Sequence, residues 1–181
     1  MGLWYVLQTI SGKEEQAAGL LMRKISPSHW EACRVLKKRR LFRRGVCLYL
    51  QESVLFPGYV FVRTERPQEL KKWLWRSSEF PQPIELDSSR NMIPIEAADI
   101  EFLQRVCGAD LGQAMDISRV FLGEENKIVR IEGILDRYRD KISRINMHKR
   151  FALVEVTLFD RIQPICFAFQ LEQDQLILQT A

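Results

Sequence analysis

The sequence predicts an α+β protein: an N-terminal domain on one largely antiparallel sheet flanked by helices, followed by a small all-β barrel. Three observations predict it. Residues 3 to 108 alternate strand-like with helix-like segments. Residues 127 to 170 are strand-like throughout, at the spacing of about ten residues per strand common in small barrels and sandwiches. Between the two lies GADLGQAMDISRVFLGEEN, with three glycines and no sustained period, a linker signal. The expected boundaries are 1–109 for the first domain, 110–123 for the linker and 124–181 for the second domain. At 181 residues, 46% hydrophobic and 28% charged, the chain has the apolar content to bury a core and is not a disordered composition.

Leu3 to Thr9 is short, apolar and rich in aromatic and β-branched residues, a strand. Ser11 and Glu14 form an S-x-x-E capping box, and Ala17, Leu20 and Leu21 follow at helical spacing, which predicts a helix over 12–25. Runs at 34–42 and 46–53 flank Arg43-Arg44-Gly45 as a hairpin, and Gly58 to Arg63 is a further strand. Pro67 suits a first helical position, and the helix runs on to Ser77. On it Trp73 and Trp75, two apart, cannot share a face, so one belongs to the core and the other is half exposed. Pro81, Pro83 and Pro94 bound an irregular stretch around Ile84 to Asp87. Ala97, Ile100, Leu103, Val106 and Cys107 predict a last helix, stopped at Gly108. The second domain reads as strands at 127–131, 141–147, 151–158 and 162–169, with one more near 176–179.

The composition excludes several classes. No apolar run approaches the ~18 residues of a membrane span, and the N-terminus lacks the charged flank of a signal peptide. Cys33, Cys47, Cys107 and Cys166 are far apart in sequence and form no zinc-ligand pair. They read as free thiols of a reducing cytoplasm. His29 and His148 are the only histidines, and neither has a context for nucleophilic or metal chemistry. No phosphate-binding glycine loop or nucleophile elbow is present. The sequence therefore predicts a non-enzymatic protein without metal or cofactor. Lys and Arg total 27 against 23 Asp and Glu, a net charge of +4. That balance permits a polyanionic partner without requiring one.

The segment LFPGYVFVR, Leu55 to Arg63, carries the sharpest pattern. Phe56 is biased to extended backbone by Pro57. In the strand that follows, Tyr59, Phe61 and Arg63 alternate with Val60 and Val62. One face serves a core, and an aromatic face left partly uncovered marks a protein-binding patch.

Together with WYVLQ at Trp4 to Gln8 and SGKEE at Ser11 to Glu15, LFPGYVFV resembles the N-terminal domain of NusG-family transcription factors. KIVRIEG at Lys127 to Gly133, KISRIN at Lys141 to Asn146 and ALVEVTLFDRIQPICF at Ala152 to Phe167 are similar to the family's KOW barrel, an SH3-like fold. The basic hairpin and the LFPGYVFV form look closest to the specialised RfaH and LoaP branches, LoaP above all. The resemblance implies a cytoplasmic antitermination factor whose N-terminal domain binds the clamp helices of RNA polymerase. It stabilises the elongating state by preferential binding alone. By motif position Phe56, Tyr59 and Phe61 are the implied polymerase contacts, with Tyr5 a weaker candidate. The alternatives are a general elongation or pausing factor coupled to the ribosome, and an RNA-binding, ribosome-associated KOW protein with no polymerase role.

Two basic clusters are candidates for nucleic acid. Arg34, Lys37, Lys38, Arg39, Arg40, Arg43 and Arg44 follow one another without an acid. A two-faced hairpin cannot aim them all at one target; Arg43 and Arg44 at its tip, with some of Lys37, Lys38, Arg39 and Arg40, are the candidates for DNA phosphates, contacts that position without reading sequence. The second cluster is Arg137, Arg139, Lys141, Arg144, His148, Lys149 and Arg150, with Tyr138 as a stacking ring. It has the ingredients for gripping an RNA hairpin, and the LoaP resemblance implies a leader RNA as its target. Where the family has Asn-Gly, this chain has Arg139-Asp140. The resemblance also implies NusE, a ribosomal protein, as a partner through Phe159. That ring is placed either on an edge strand open to pairing or in a turn as a buried residue, and Asp160 departs from the family's small residue there.

Overall fold

A computed structural model describes residues 2–81 and 92–178; the stretch expected to be irregular around Ile84 to Asp87 lies outside them. The chain divides into two compact units, Met1–Leu36 with Val54–Gln113, and Lys37–Ser53 with Ala114–Ala181. Each has its own sheet and core, and together they give the expected α+β class.

The first unit holds β1 (Leu3–Gln8), α1 (Glu14–Lys24), β2 (Ala32–Arg34), β5 (Tyr59–Thr64), α2 (Pro67–Arg76), β6 (Met92–Pro94) and α3 (Ala97–Cys107). Its strands run in the order β2-β5-β1-β6, antiparallel where paired. Tyr5 faces Val62 and Leu7 faces Val60 across the central pair, so these four side chains share one face. Leu7, Val60 and Val62 pack with Ala17, Ala18 and Leu21 of α1 and with Leu70 and Leu74 of α2. The 3.6-residue period of the helices and the two-residue period of the strands thus meet in one core. Each large aliphatic side chain sealed there contributes roughly 1.5–3 kcal/mol of burial. Trp73 packs against this core and Trp75 is exposed, as their spacing predicts.

The second unit holds the hairpin β3 (Lys37–Arg44) and β4 (Cys47–Val54), then β7 (Ser118–Leu122), β8 (Ile128–Glu132), β9 (Ile142–Asn146), β10 (Phe151–Leu158), β11 (Arg161–Leu171) and β12 (Leu176–Leu178). Five strands form a sheet in the order β8-β7-β11-β10-β9, and three more the order β12-β4-β3. Gly45, at φ 64°, supplies the left-handed residue of the hairpin turn. β12 lies parallel to β4, Leu176 opposite Leu48. Met115 donates its N–H to the Lys37 carbonyl and accepts from the Arg39 N–H, both at 2.9 Å. A 3-10 segment, Ile134–Lys141, buries Leu135 and Tyr138, and the Ser118 hydroxyl accepts the Leu135 N–H at 3.0 Å.

Two features depart from the sequence-based division. Five residues of the expected linker form strand β7, whose Val120 is buried and which pairs in parallel with β11. Its partner is some fifty residues away, at Phe169 to Leu171, so no local period announces it. The hairpin at 37–53, expected within the first domain, groups instead with the C-terminal strands.

Candidate nucleic-acid interface

The motifs of the first unit are tied together by one carboxylate. Gly58 adopts φ +83°, and a Cβ there would sit 3.2 Å from the Thr9 carbonyl oxygen, so the position requires glycine. Its N–H donates to Glu14 Oε1 at 2.6 Å, and the Gly12 N–H reaches the same oxygen at 2.9 Å. Thr9 in turn donates its N–H to the Gly58 carbonyl at 2.8 Å. Burial works to raise the Glu14 carboxyl, yet the N–H groups of Gly58, Gly12 and Glu14 itself outweigh it and hold its pKa below the ordinary value. The expected capping box is thus replaced. The helix begins at Glu14 with Lys13 as its cap residue and no side-chain cap bond from Ser11. Glu14 instead joins the SGKEE and FPGY segments, a long-range role that no local pattern signals.

The aromatic face is more deeply covered than expected. Phe56 and Phe61 are 5% and 0% exposed, with ring centroids 5.9 Å apart. The expectation that they present an open patch is corrected. Phe61 lies on the face of β5 opposite Val60 and Val62, where the Phe56 ring packs near it. Tyr59, opposite Gln8 at the end of the ladder, and Tyr5, packed against the helical core, are half-buried.

The two basic clusters, far apart in sequence, meet in the second unit. Arg39, Arg40, Leu41, Phe42 and Arg43 line one side of a cavity of about 490 Å³; His148, Lys149, Arg150, Phe151, Cys166 and Ala168 line the rest. None of these residues is acidic. Arg40, Arg43, His148 and Lys149 are exposed and make no ion pair among the described residues. Phe42 stacks on Tyr49 across the hairpin, with centroids 5.4 Å apart and planes 22° apart.

Other members of the clusters have structural work. Arg39 lies 3.0 Å from Asp116 and 3.8 Å from Glu52. Arg150 is almost fully buried and reaches both Asp174 oxygens at 2.6 Å, from Nε and Nη2; it also donates to the Met147 carbonyl. Burial works to raise the Asp174 carboxyl, but the Arg150 bonds, the Leu171 N–H and the charge of Arg43 prevail and hold it low. Arg150 is therefore corrected from a nucleic-acid contact to a buttress of the 147–150 turn. Lys38 is pulled down in pKa by burial, opposed by Cys166, whose thiol burial pushes up. Lys37, Lys38 and Arg44 do not line the cavity, nor do Arg137, Arg139, Lys141 and Arg144, which are exposed elsewhere on the unit. Arg139 pairs with Asp136 at 3.4 Å.

Tyr138 is not a stacking platform: it is 5% exposed, against the Phe167 ring at 5.6 Å. Phe159, of the two placements expected for it, takes the turn. With Asp160 it forms the two-residue turn between β10 and β11, both residues at positive φ (54° and 60°). Around that turn Glu155 to Leu158 pair with Arg161 to Pro164, since β9 pairs β10 only over Phe151 to Val154 and β7 pairs β11 only over Phe169 to Leu171. Among the described residues no helix is long and apolar enough to cross a membrane. Nor do three or more His, Cys, Asp or Glu side chains converge there to hold a metal.

Comparison with known proteins matches residues 2–104 to the family model for NusG, described as transcription termination factor nusG. Among solved structures, one described as "Domain interaction in Thermotoga maritima NusG" is 20% identical, covers 93% of this chain and 94% of that chain, and has a TM-score of 0.45. No curated protein matches.

Proposed function

Since the chain belongs to the NusG family of transcription factors, whose members bind RNA polymerase, we propose that it is a specialised antiterminator of the LoaP kind. Its first unit engages the polymerase clamp helices and its second unit contacts leader RNA. The observation that carries the specialised reading is the single cavity in which Arg40, Arg43, His148 and Lys149 converge without a carboxylate. A factor that acts on polymerase alone has no need to gather cations from two distant segments around one groove. Phosphates are the matching ligand, because a cation cluster at a surface gains most by neutralising a polyanion and releasing its counterions. DNA phosphates near the polymerase are a second target for the exposed tip residue Arg44.

On the polymerase side Tyr59 is the leading contact, because it is part of FPGY and is half-exposed. Phe56 and Phe61 support the shape of that surface from beneath. The factor acts by binding one polymerase conformation better than another, so its effect equals its differential affinity. Phe159 itself sits in the turn between β10 and β11 and not on a strand.

A terminator read-through assay with purified polymerase tests the proposal. Read-through should rise with the chain when the leader of the neighbouring operon is transcribed, and return to baseline when that leader is replaced. Equal read-through with both templates would reduce the function to that of a general elongation factor.

A further inference from the structure

The cavity of the second unit has a property that phosphate binding does not explain. A site for phosphate alone needs cations and N–H groups on an open surface. This one is also lined by apolar side chains and two aromatic rings. Ala168 and Cys166 lie two apart on β11 and so share a face, and their side chains are short. Phe151 stands directly opposite Ala168 in the β10–β11 ladder. Phe42 lines the cavity from the hairpin, its ring plane held by the stack on Tyr49. The cations Arg40, Arg43 and Lys149 complete the lining. The volume of about 490 Å³ falls in the ~300–1,000 Å³ range of small-ligand sites.

We infer that this cavity is a nucleoside-phosphate site, which takes one unstacked base of single-stranded RNA between Phe42 and Phe151 while Arg40, Arg43 and Lys149 hold the flanking phosphates. The inference deepens the RNA reading above and rests on it. The chemistry selects the ligand. With no acidic lining residue, the site does not favour a cation. Flat apolar rings beside positive charge suit a planar heterocycle that carries phosphate, and base-on-aromatic stacking is tolerant of sequence. A duplex keeps its bases stacked and cannot deliver one without unpairing it. Arg150 and Asp174 act as positioning residues, because their paired bonds fix the turn that carries His148 and Lys149.

The test is fluorescence anisotropy on the full chain with two labelled strands of equal length and charge, one a single-stranded RNA and the other its abasic ribose-phosphate counterpart. The RNA should bind on the order of tenfold tighter than the abasic strand. Phe42→Leu with Phe151→Leu should abolish that ratio and leave abasic binding unchanged; should the pair fail to fold, Phe151→Leu alone should halve the ratio or more. Arg43→Gln with Lys149→Gln should weaken both strands alike. Equal binding of the two strands by the natural chain would overturn the base site and leave phosphate-based RNA contact standing. Binding of neither strand would overturn both. Polyglutamate competing as well as the RNA would also overturn the inference, in favour of an acidic peptide. Free nucleoside monophosphates that displace the strand at micromolar concentration would support the site with a diffusible nucleotide as its ligand. Displacement only at millimolar concentration would support it with RNA as the source.

Discussion

The FPGY strand and the basic groove were both conspicuous in the sequence, yet the fold treats them in opposite ways. Phe56 and Phe61 are buried, whereas Arg40, Arg43, His148 and Lys149 stand in solvent around a cavity. The contrast follows from solvation. An aromatic ring gains free energy wherever it is covered, so its presence in a motif does not say whether the cover is its own unit or a partner. An unpaired guanidinium or ammonium cannot be buried without a large desolvation cost, so a run of them must reach the surface or find carboxylates. The exceptions obey the same rule, because Arg150 is buried only together with Asp174.

Substitutions can sharpen that contrast. The largest effect is expected at Phe61. Phe61→Ala empties a fully buried site in a central strand and should destabilise the first unit by about 3–5 kcal/mol in urea unfolding. A loss below 1 kcal/mol would mean that the ring is not held as tightly as its burial indicates. Asp174→Asn comes next. Removing one member of a buried, doubly bonded pair should cost about 3 kcal/mol. The folded Asp174 carboxyl lies below its ordinary value, so its stabilisation is present above the unfolded pKa of about 4 and is lost as pH falls below that toward the folded pKa. The urea midpoint of the natural chain should therefore fall with acid more steeply than that of the Asn variant. Parallel pH profiles would contradict the pair's role.

Tyr59→Ala should leave the fold within about 1 kcal/mol of its stability and weaken polymerase binding by about 2 kcal/mol, as measured by co-migration with polymerase. A folded variant that still co-migrates removes Tyr59 from the interface. The smallest effects belong to the groove's cations one at a time. Arg43→Gln or Lys149→Gln should each reduce the slope of log affinity against log salt by about 0.7 in single-stranded RNA titrations. Arg39→Gln should change that slope less, because Asp116 and Glu52 already answer its charge.

The regular elements were largely legible because each announces itself locally. The helix expected over 12–25 is α1 at Glu14–Lys24, the hairpin strands end within a few residues of their predicted limits, and β10 matches at 151–158. What escaped was decided at a distance. β2 and β6 have three residues each, and β6 ends in Pro94. Such short strands have too little alternation to read and exist only through their neighbours. β7 is defined by a parallel partner. At the candidate site, the charged residues could be named from sequence, but their convergence could not. Nothing near Arg43 indicates that it will share a cavity with Lys149, and nothing near Arg150 foretells Asp174. Tyr138 beside Phe167 shows the converse: an aromatic in a basic neighbourhood can belong wholly to the scaffold.

The place of the hairpin at 37–53 with the C-terminal strands has a consequence for biosynthesis. A nascent chain emerges N-terminus first, and domains generally fold as they are completed. Here β3 and β4 leave the ribosome long before β11 and β12 have been translated, so these two strands wait with open edges until the rest of the second unit has emerged. The slow step in maturation is then the arrival of the tail. A gene cut at the apparent linker would yield a first fragment with an orphaned hairpin and a second fragment lacking two strands.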